Sequence, residues 1–169
     1  MEGALPQPDR NGVYALASEA DTKALARRLA AAARMGDVIA LFGDLGAGKT
    51  LFARAFINAL PGPQGHPVEE EVPSPTFTLV QTYERQPCEV WHFDLYRLED
   101  PEEAWELGLE EAFAEALSLI EWPERLGRIL PRSALRVRLS QNGDERRVRF
   151  EGDESWRRRL EAIGLRTAE

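Results

Sequence analysis

The sequence predicts an α/β fold of one domain over residues 1–169, with helices on the faces of a mixed, largely parallel central sheet and a C-terminal antiparallel hairpin. Two short apolar runs, 38–42 and 117–121, have the composition of parallel strands that are buried on both faces. Segments with helical apolar spacing alternate with such runs along the chain. The 169 residues, 43% of them apolar, can bury a core of their own, and no linker is long enough to divide them.

The first half of the chain predicts a helix, a strand and a second helix. The first helix spans 18–37, where apolar residues recur at helical spacing and Gly36 ends the pattern. The buried strand 38–42 follows it directly. The second helix, over 49–60, ends at the sequence Pro-Gly-Pro, because proline cannot continue a helix.

Two segments carry no regular pattern. Residues 1–12 are a candidate disordered segment, and residues 61–75, which contain five prolines and an acidic run, predict a flexible loop. The remaining elements follow from two-residue alternation, helical spacing and an Asn-Gly turn. They are strands at 76–83, 89–94 and 117–121, helices at 100–116 (broken near Gly108) and 153–164, and hairpin strands at 134–140 and 146–150. The short gap between the first two of these strands indicates that they pair antiparallel.

Charge and composition argue against several classes of protein. The net charge of −8 disfavours a stand-alone nucleic-acid binder, which needs a basic face. No apolar run is long enough to predict a membrane span, and Cys88 is the only cysteine, so an internal disulfide is impossible. The first residues lack a secretory signal pattern, and the expected location is therefore the cytoplasm. The sequence has no Cys/His cluster that would predict a zinc site.

The segment from Gly43 to Thr50, GDLGAGKT, fits the phosphate-binding pattern G-x-x-x-x-G-K-[ST]. Its glycines allow a tight turn that aims backbone N–H groups at phosphate oxygens. The helix that follows adds the positive end of its dipole. Lys49, one of only two lysines in the chain, can reach the terminal phosphates, and the Thr50 hydroxyl can ligate Mg²⁺. A buried strand before the loop and a helix after it give the pattern the context that it requires.

Two acids stand where a phosphate loop needs a second group on the side of the metal, at the ends of apolar strands. Asp94 ends the segment EVWHFD, and Glu121 ends LSLIE. A carboxylate in either position can hold Mg²⁺ directly, hold it through water or orient an attacking water. The residues alone leave open which acid has which role. His92 alternates out of phase with Trp91 and Phe93, and it is expected to be a packed or hydrogen-bonded residue rather than a ligand.

Further motifs follow the phosphate loop in order: SPTFTLV at 74–80, HFDLYRLEDPEE at 92–103, ELGLEE at 106–111 and LIEWPERL at 119–126. Together they resemble the TsaE (YjeE) family, whose members are small P-loop ATPases of bacterial tRNA threonylcarbamoyladenosine biosynthesis. The resemblance runs from Ser18 to Phe150. The phosphate loop alone is generic, whereas its combination with SPTF, DLYR and IEWPE is specific.

The resemblance implies the three-layer P-loop NTPase fold, and it implies ATP and Mg²⁺ as ligands. The catalytic residues would be Asp94, Lys49 and Glu121, and the metal-binding residues would be Thr50, Glu121 and Asp94. Ser74 and Thr76 would lie on a switch-like loop near the γ-phosphate. The nucleotide-binding residues would be Glu19, Thr22, Gly43, Asp44, Gly46, Ala47, Gly48, Lys49, Thr50, Leu51, Trp122 and Arg146.

The resemblance also implies partner proteins. Members of the family act with two larger proteins, TsaB and TsaD, and TsaD transfers the threonylcarbamoyl group to adenosine in tRNAs that read ANN codons. ATP hydrolysis by the P-loop protein, weak alone and activated by the partners, would drive or reset that complex. The chain would therefore reach tRNA only indirectly, through the complex, and would need no membrane.

Two features depart from the family pattern. Leu51 stands where the family usually has a second Thr or Ser, so a hydroxyl contact to the α-phosphate is lost while the backbone N–H remains. The loop over 61–73 is longer and richer in proline than is usual, which leaves the partner contacts there open.

Three other interpretations of the phosphate loop differ in class from an ATPase. A signalling GTPase is excluded, because no asparagine is followed by lysine to form the N-K-x-D base-reading motif. A small-molecule kinase is the main alternative, with Arg97 or Arg125 clamping the transferred phosphate, although little chain length remains for an acceptor domain. A nucleotide-gated binding subunit differs from the ATPase only in rate, which the sequence does not set.

Overall fold

The computed structural model describes residues 4–169, and residues 1–3 of the candidate disordered segment lie outside that description. Within residues 4–169 the chain forms seven strands, four α-helices and two 3₁₀ segments. The strands are β1 (Val13–Leu16), β2 (Val38–Phe42), β3 (Val80–Tyr83), β4 (Val90–Asp94), β5 (Leu117–Glu121), β6 (Leu135–Asn142) and β7 (Glu145–Glu151). The helices are α1 (Glu19–Ala30), α2 (Lys49–Ala59), α3 (Leu109–Glu115) and α4 (Glu154–Ala162), and the 3₁₀ segments are Pro101–Leu107 and Pro123–Ile129. In this part of the chain, no helix combines the length and the apolar character that a membrane span requires.

The strands join one mixed sheet in the order β1-β7-β6-β2-β5-β4-β3. The four central strands β6, β2, β5 and β4 pair in parallel, whereas β1 with β7, β7 with β6 and β4 with β3 pair antiparallel. This confirms the predicted mixed sheet, the antiparallel pairing of β3 with β4 and the hairpin of β6 and β7. The sheet is less parallel than the predicted, largely parallel one, since only the three strand pairs at its centre are parallel.

The centre of the sheet is buried on both faces. Side chains alternate along β2, so that Ile39 and Leu41 join one core, formed with α1, α2 and α4. Val38 and Ala40 join the opposite core, formed with α3 and the 3₁₀ segments. Helical layers on both sides of a central sheet give a three-layer arrangement, in which the two apolar strands predicted from the sequence, β2 and β5, are neighbours at the centre.

Two predicted elements are shorter in the structure than their sequence patterns suggest. Helix α1 ends at Ala30. Shortly after it, Asp37 Oδ2 accepts a hydrogen bond from the backbone N–H of Arg34 (2.8 Å), which holds this part of the chain in turns instead of a helix. Strand β3 begins only at Val80. The preceding Leu79 has a positive φ of 69° and donates its N–H to Pro75 O (2.7 Å), which is a turn rather than a strand.

Two short elements are not predicted by the sequence patterns. Strand β1 has four residues, too few for its alternation to stand out, and it pairs with β7 at the edge of the sheet. The 3₁₀ segment Pro123–Ile129 starts with proline and contains Gly127, both of which disfavour a regular helix. The predicted break near Gly108 is confirmed, since this glycine has a positive φ of 89° between Pro101–Leu107 and α3.

The proline-rich loop 61–75 is tied at its middle to α2. Asn58 exchanges two hydrogen bonds with the backbone of Glu70 (3.0 and 3.1 Å). The buried Arg85 guanidinium donates to the Glu70 carboxylate (2.6 Å) and to a backbone carbonyl near the end of α2 (3.1 Å). These contacts fix Glu70, and the flexibility of the loop as a whole stays a prediction.

A buried ion pair ties the last helix to the start of β2. Arg159 in α4 donates two hydrogen bonds to the carboxylate of Asp37 (2.9 and 2.6 Å), and the two side chains are only 12% and 9% exposed. The guanidinium also lies over the Trp156 ring, 3.9 Å from its centre. The pair therefore anchors α4 beside the strand that leads into the phosphate loop.

We expect Arg159→Met to lower the free energy of unfolding by about 3–5 kcal/mol, because the Asp37 carboxylate would stay buried without its partner. Urea unfolding followed by circular dichroism measures the change. Arg158→Met is the matched control, since that neighbouring side chain is 77% exposed and its loss should leave stability nearly unchanged. Equal losses in the two variants would contradict the anchoring role.

Candidate nucleotide-binding site

The candidate site lies at the edge of the sheet where the parallel strands β2, β5 and β4 end. These strands are neighbours, and their register places Leu41 opposite Glu121 and Asp94 opposite Glu121. The loop that follows β2 therefore meets the last residues of β4 and β5 at one edge, which is where ligands bind in open α/β sheets. The phosphate-binding motif and the two strand-end acids, distant in sequence, thus share one site.

The loop between β2 and α2 needs glycine for two different reasons. Gly46 and Gly48 have positive φ angles of 83° and 103°, which residues with side chains rarely adopt. At Gly43 the reason is space, since a Cβ atom there would lie 2.6 Å from Leu139 O. Helix α2 begins at Lys49, so the loop leads straight into a helix N-terminus, whose first N–H groups have no partners within the helix.

Lys49 is buried, at 5% exposed, between its own loop and an aromatic ring. Its Nζ donates to Gly43 O, and it lies 3.5 Å from Asp44 O and 3.4 Å from the centre of the Trp122 ring. Burial lowers the pKa of Lys49, and nearby negative charges, that of Glu121 foremost, offset part of this shift. Within residues 4–169 this ammonium has no carboxylate in ion-pair contact, so a phosphate oxygen would be a stronger partner than the carbonyls.

The carboxylate of Glu121 is buried, at 2% exposed, between two polar side chains. Its Oε1 accepts from Thr50 Oγ1 (2.9 Å), and its Oε2 lies 2.7 Å from His92 Nε2. Because the Thr50 hydroxyl donates its hydrogen bond to Glu121, the lone pairs of the hydroxyl stay available for a cation. The start of α2 and two neighbouring strands are therefore joined at this one carboxylate.

Asp94 is held by the segment 74–76. Ser74 Oγ and Thr76 Oγ1 both donate to Asp94 Oδ2 (3.0 and 3.1 Å), and the two hydroxyl oxygens are 2.8 Å apart. The other carboxylate oxygen, Oδ1, accepts from Tyr96 N (3.1 Å). The residues predicted to be switch-like thus contact the predicted catalytic acid directly.

A cavity of about 380 Å³ brings most of the predicted site residues together. The predicted residues in its walls are Glu19, Gly46, Gly48, Lys49, Thr50, Leu51, Ser74, Thr76, Asp94, Glu121, Trp122 and Arg146. Thr22 and Ala47 lie outside these walls and are buried, at 2% and 6% exposed. Gly43 and Asp44 line a second cavity of about 390 Å³ toward β6 and β7. Contact of any of the predicted residues with a nucleotide stays a prediction.

Three residues at the site were not among the predicted site residues. Leu45 and Tyr96 line the cavity, and His92 contacts Glu121 behind it. The sequence did contain a signal for His92, because it stands two residues before Asp94 in a strand and so shares a face of the sheet with it. Leu45, which is 80% exposed, and Tyr96 carry no comparable signal.

Comparison with known proteins shows to which family the chain belongs. Residues 16–149 match the family model described as "Threonylcarbamoyl adenosine biosynthesis protein TsaE". The chain is 41% identical over 138 residues to the tRNA threonylcarbamoyladenosine biosynthesis protein TsaE of Rickettsia bellii, a match that covers 82% of this chain and 92% of that protein. It is 39% identical over 128 residues to the protein of the same name from Bacillus subtilis, with 75% and 76% covered.

A solved structure has a similar fold. The crystal structure of YdiB from Bacillus subtilis superposes with a TM-score of 0.72 and 29% identity, and the match covers 89% of this chain and 92% of that one. The α/β fold with its mixed sheet is therefore shared with an experimental structure. The chain belongs to the TsaE family, and the resemblance carried by the sequence motifs is confirmed.

The buried ammonium of Lys49 predicts a pH dependence of stability. Because burial lowers its pKa below the ordinary value of 10.5, the folded chain releases this proton at a lower pH than the unfolded chain. Between the two pKa values the unfolded state binds more protons, so the contribution of this group to the free energy of unfolding rises with pH. We expect the wild type to gain stability relative to Lys49→Met as the pH rises toward 10.5.

Urea unfolding at a series of alkaline pH values measures this difference. Lys23→Met removes the other lysine of the chain and corrects for the loss of one positive charge. A difference between the wild type and Lys49→Met that stays constant with pH would contradict the burial of a charged Lys49.

Proposed function

We propose that this chain is the ATP-binding and ATP-hydrolysing subunit of tRNA threonylcarbamoyladenosine biosynthesis, and that it acts on a complex of TsaB and TsaD. Hydrolysis drives or resets that complex between rounds of transfer to adenosine of tRNAs that read ANN codons. The chain then needs no acceptor site of its own and meets tRNA only through the complex. Its membership of a family whose relatives are named for this biosynthesis supports the pathway.

One observation carries the proposed chemistry. A single cavity contains a glycine loop at a helix N-terminus, a buried lysine and two buried strand-end carboxylates. Buried charges are costly unless they are paired or coordinated. A nucleoside triphosphate with a divalent cation would satisfy all of these groups at once, because its phosphate oxygens accept from amides and ammonium while its cation faces the carboxylates.

Lys49 changes partners in this scheme. It now donates to carbonyls of its own loop and lies over the Trp122 ring. A bound terminal phosphate draws the ammonium away from the carbonyls, since a charge-assisted hydrogen bond is stronger than a neutral one. Trp122 then lies beside the phosphate end of the nucleotide, while Glu19 and Arg146 border its nucleoside end.

Thr50 and Glu121 are the residues that fit Mg²⁺. Both offer oxygen, the donor that this cation prefers, and they lie in contact with free lone pairs on the Thr50 hydroxyl. Among residues 4–169 no group of three or more His, Cys, Asp or Glu side chains forms a metal cage, which suits a cation that is held partly by substrate phosphates and water. When bound, Mg²⁺ would neutralise charge on the phosphate oxygens.

Asp94 orients the attacking water in this scheme. Its Oδ2 is occupied by the hydroxyls of Ser74 and Thr76, so it is not free to accept from water while that segment stays in place. A shift of the 74–76 segment toward the terminal phosphate frees this oxygen. Slow hydrolysis by the chain alone follows, and a partner that moves the segment raises the rate.

Phosphate release from ATP by the purified chain, alone and with TsaB and TsaD added, tests the function. We expect slow release alone and a clear increase with both partners, because the partners free Asp94 from its hydroxyl donors. No release under either condition would contradict the ATPase. ADP formation matched by a phosphorylated small molecule would favour a kinase instead.

The two acids should separate binding from hydrolysis. We expect Asp94→Asn to lower phosphate release by about 10²–10⁴-fold with ATP affinity retained, since it removes only the group that acts on water. Glu121→Gln should weaken Mg²⁺-dependent ATP binding by about tenfold or more, since it weakens the metal site. Calorimetry and phosphate release measure the two effects, and Glu110→Gln, at an exposed position on α3, is the control. Wild-type turnover in both site variants would remove these acids from the mechanism.

A further inference from the structure

His92 in β4 is fully buried immediately behind the site, at 0% exposed. Its Nε2 lies 2.7 Å from Oε2 of Glu121, and its Nδ1 has no hydrogen-bond partner in the part of the chain that the structure describes. The imidazole is not part of the wall of the nucleotide cavity. It can therefore influence a ligand there only through Glu121.

The surroundings of the two ring nitrogens set the direction of this hydrogen bond. A proton on Nδ1 would be buried without an acceptor among residues 4–169, which is unfavourable. A proton on Nε2 has Glu121 Oε2 as an acceptor at short distance. An ionised carboxylate only accepts hydrogen bonds, so the imidazole is the donor and Glu121 the acceptor.

Both oxygens of the Glu121 carboxylate are thereby held, but by anchors of different kinds. Oε1 accepts from Thr50, which lies in the first turn of α2, directly after the loop that a nucleotide would contact. Oε2 accepts from His92, which lies on a strand paired on both sides, with β3 and with β5. The last torsion of a glutamate side chain is soft, so the sheet-borne donor is what fixes the plane of this carboxylate independently of the loop.

A role in packing alone does not explain this residue. An apolar side chain of similar volume would fill the same space between the strands without leaving a buried nitrogen unpaired. Packing does not explain why this position has a hydrogen-bond donor that points at one carboxylate oxygen. Partners behind a ligating carboxylate orient it and strengthen metal binding.

We propose that His92 is a positioning residue, which fixes the Glu121 carboxylate so that Oε1 faces Thr50 and a bound Mg²⁺. This inference rests on the proposed function, because it assumes that Mg²⁺ binds with the nucleotide. His92 contacts neither the cation nor the phosphates. It sets the orientation of Glu121 Oε1, the oxygen that would face the cation. The glycine loop would bind the phosphates without any contribution from His92.

Calorimetric titration of the full chain with a non-hydrolysable ATP analogue, in Mg²⁺ and in EDTA, tests this role. The variants are His92→Leu, which fills the space without a donor, and His92→Gln, whose side-chain amide places an N–H near the position of the imidazole Nε2. We expect His92→Leu to lower the Mg²⁺-dependent gain in affinity by about tenfold, within the 10–100-fold range for partners behind metal ligands. Affinity in EDTA should stay that of the wild type, and His92→Gln should restore most of the Mg²⁺-dependent gain.

Other results would overturn either the positioning role of His92 or the proposed function. An unchanged Mg²⁺-dependent gain in His92→Leu would overturn the positioning role, as would equal losses in Leu and Gln variants that also extend to EDTA, the result expected of packing alone. A wild-type chain that gains no affinity from Mg²⁺ would overturn the proposed function itself. If His92→Leu does not fold, His92→Asn replaces it, because its shorter amide does not reach Glu121. His92→Asn should then lose the gain that His92→Gln keeps.

Discussion

The buried carboxylate of Glu121 is the interaction on which the rest of the site depends. It ends β5, the strand that lies between β2 and β4 at the centre of the sheet. From one side the first turn of α2 brings Thr50 to Oε1, and from the other side β4 brings His92 to Oε2. An ionised group at this depth is tolerable only because both oxygens have donors and a lysine ammonium lies nearby. The order of the parallel strands therefore determines which side chains meet at the site.

Two strained backbone positions adjoin the buried acids of the site. Within residues 4–169 the only residues other than glycine with positive φ are Leu79 and Trp122 (69° and 58°). Trp122 directly follows Glu121, and the Leu79 carbonyl accepts the Asp94 N–H (2.9 Å). Such strain persists where the surroundings impose it, and it is frequent at functional sites. Among the described residues, Lys49 has only neutral partners. The strained positions and this lysine indicate a site whose groups would bind a charged ligand more strongly than they bind one another.

The sequence predicted what depends on local patterns. The apolar runs that became β2 and β5, the glycine loop before α2 and the Asn-Gly hairpin are each encoded within a few neighbouring residues. Strand order was not predictable in this way, because the pairing of β2 with β5 and of β5 with β4 joins segments that are far apart in the chain. The contact between His92 and Glu121 exists only through that order. The short strand β1 and the wall position of Leu45 likewise depend on tertiary contacts that no local pattern encodes.

We propose that the loop around Lys49 binds a triphosphate, with a divalent cation between Thr50 and Glu121. The most direct measurement is a crystal structure of the chain with a non-hydrolysable ATP analogue and Mn²⁺, whose anomalous signal locates the cation. We expect an anomalous peak beside Thr50 Oγ1 and the Glu121 carboxylate, with the phosphates against the N–H groups of residues 46–51. A cation elsewhere, or a nucleotide bound outside this loop, would contradict it.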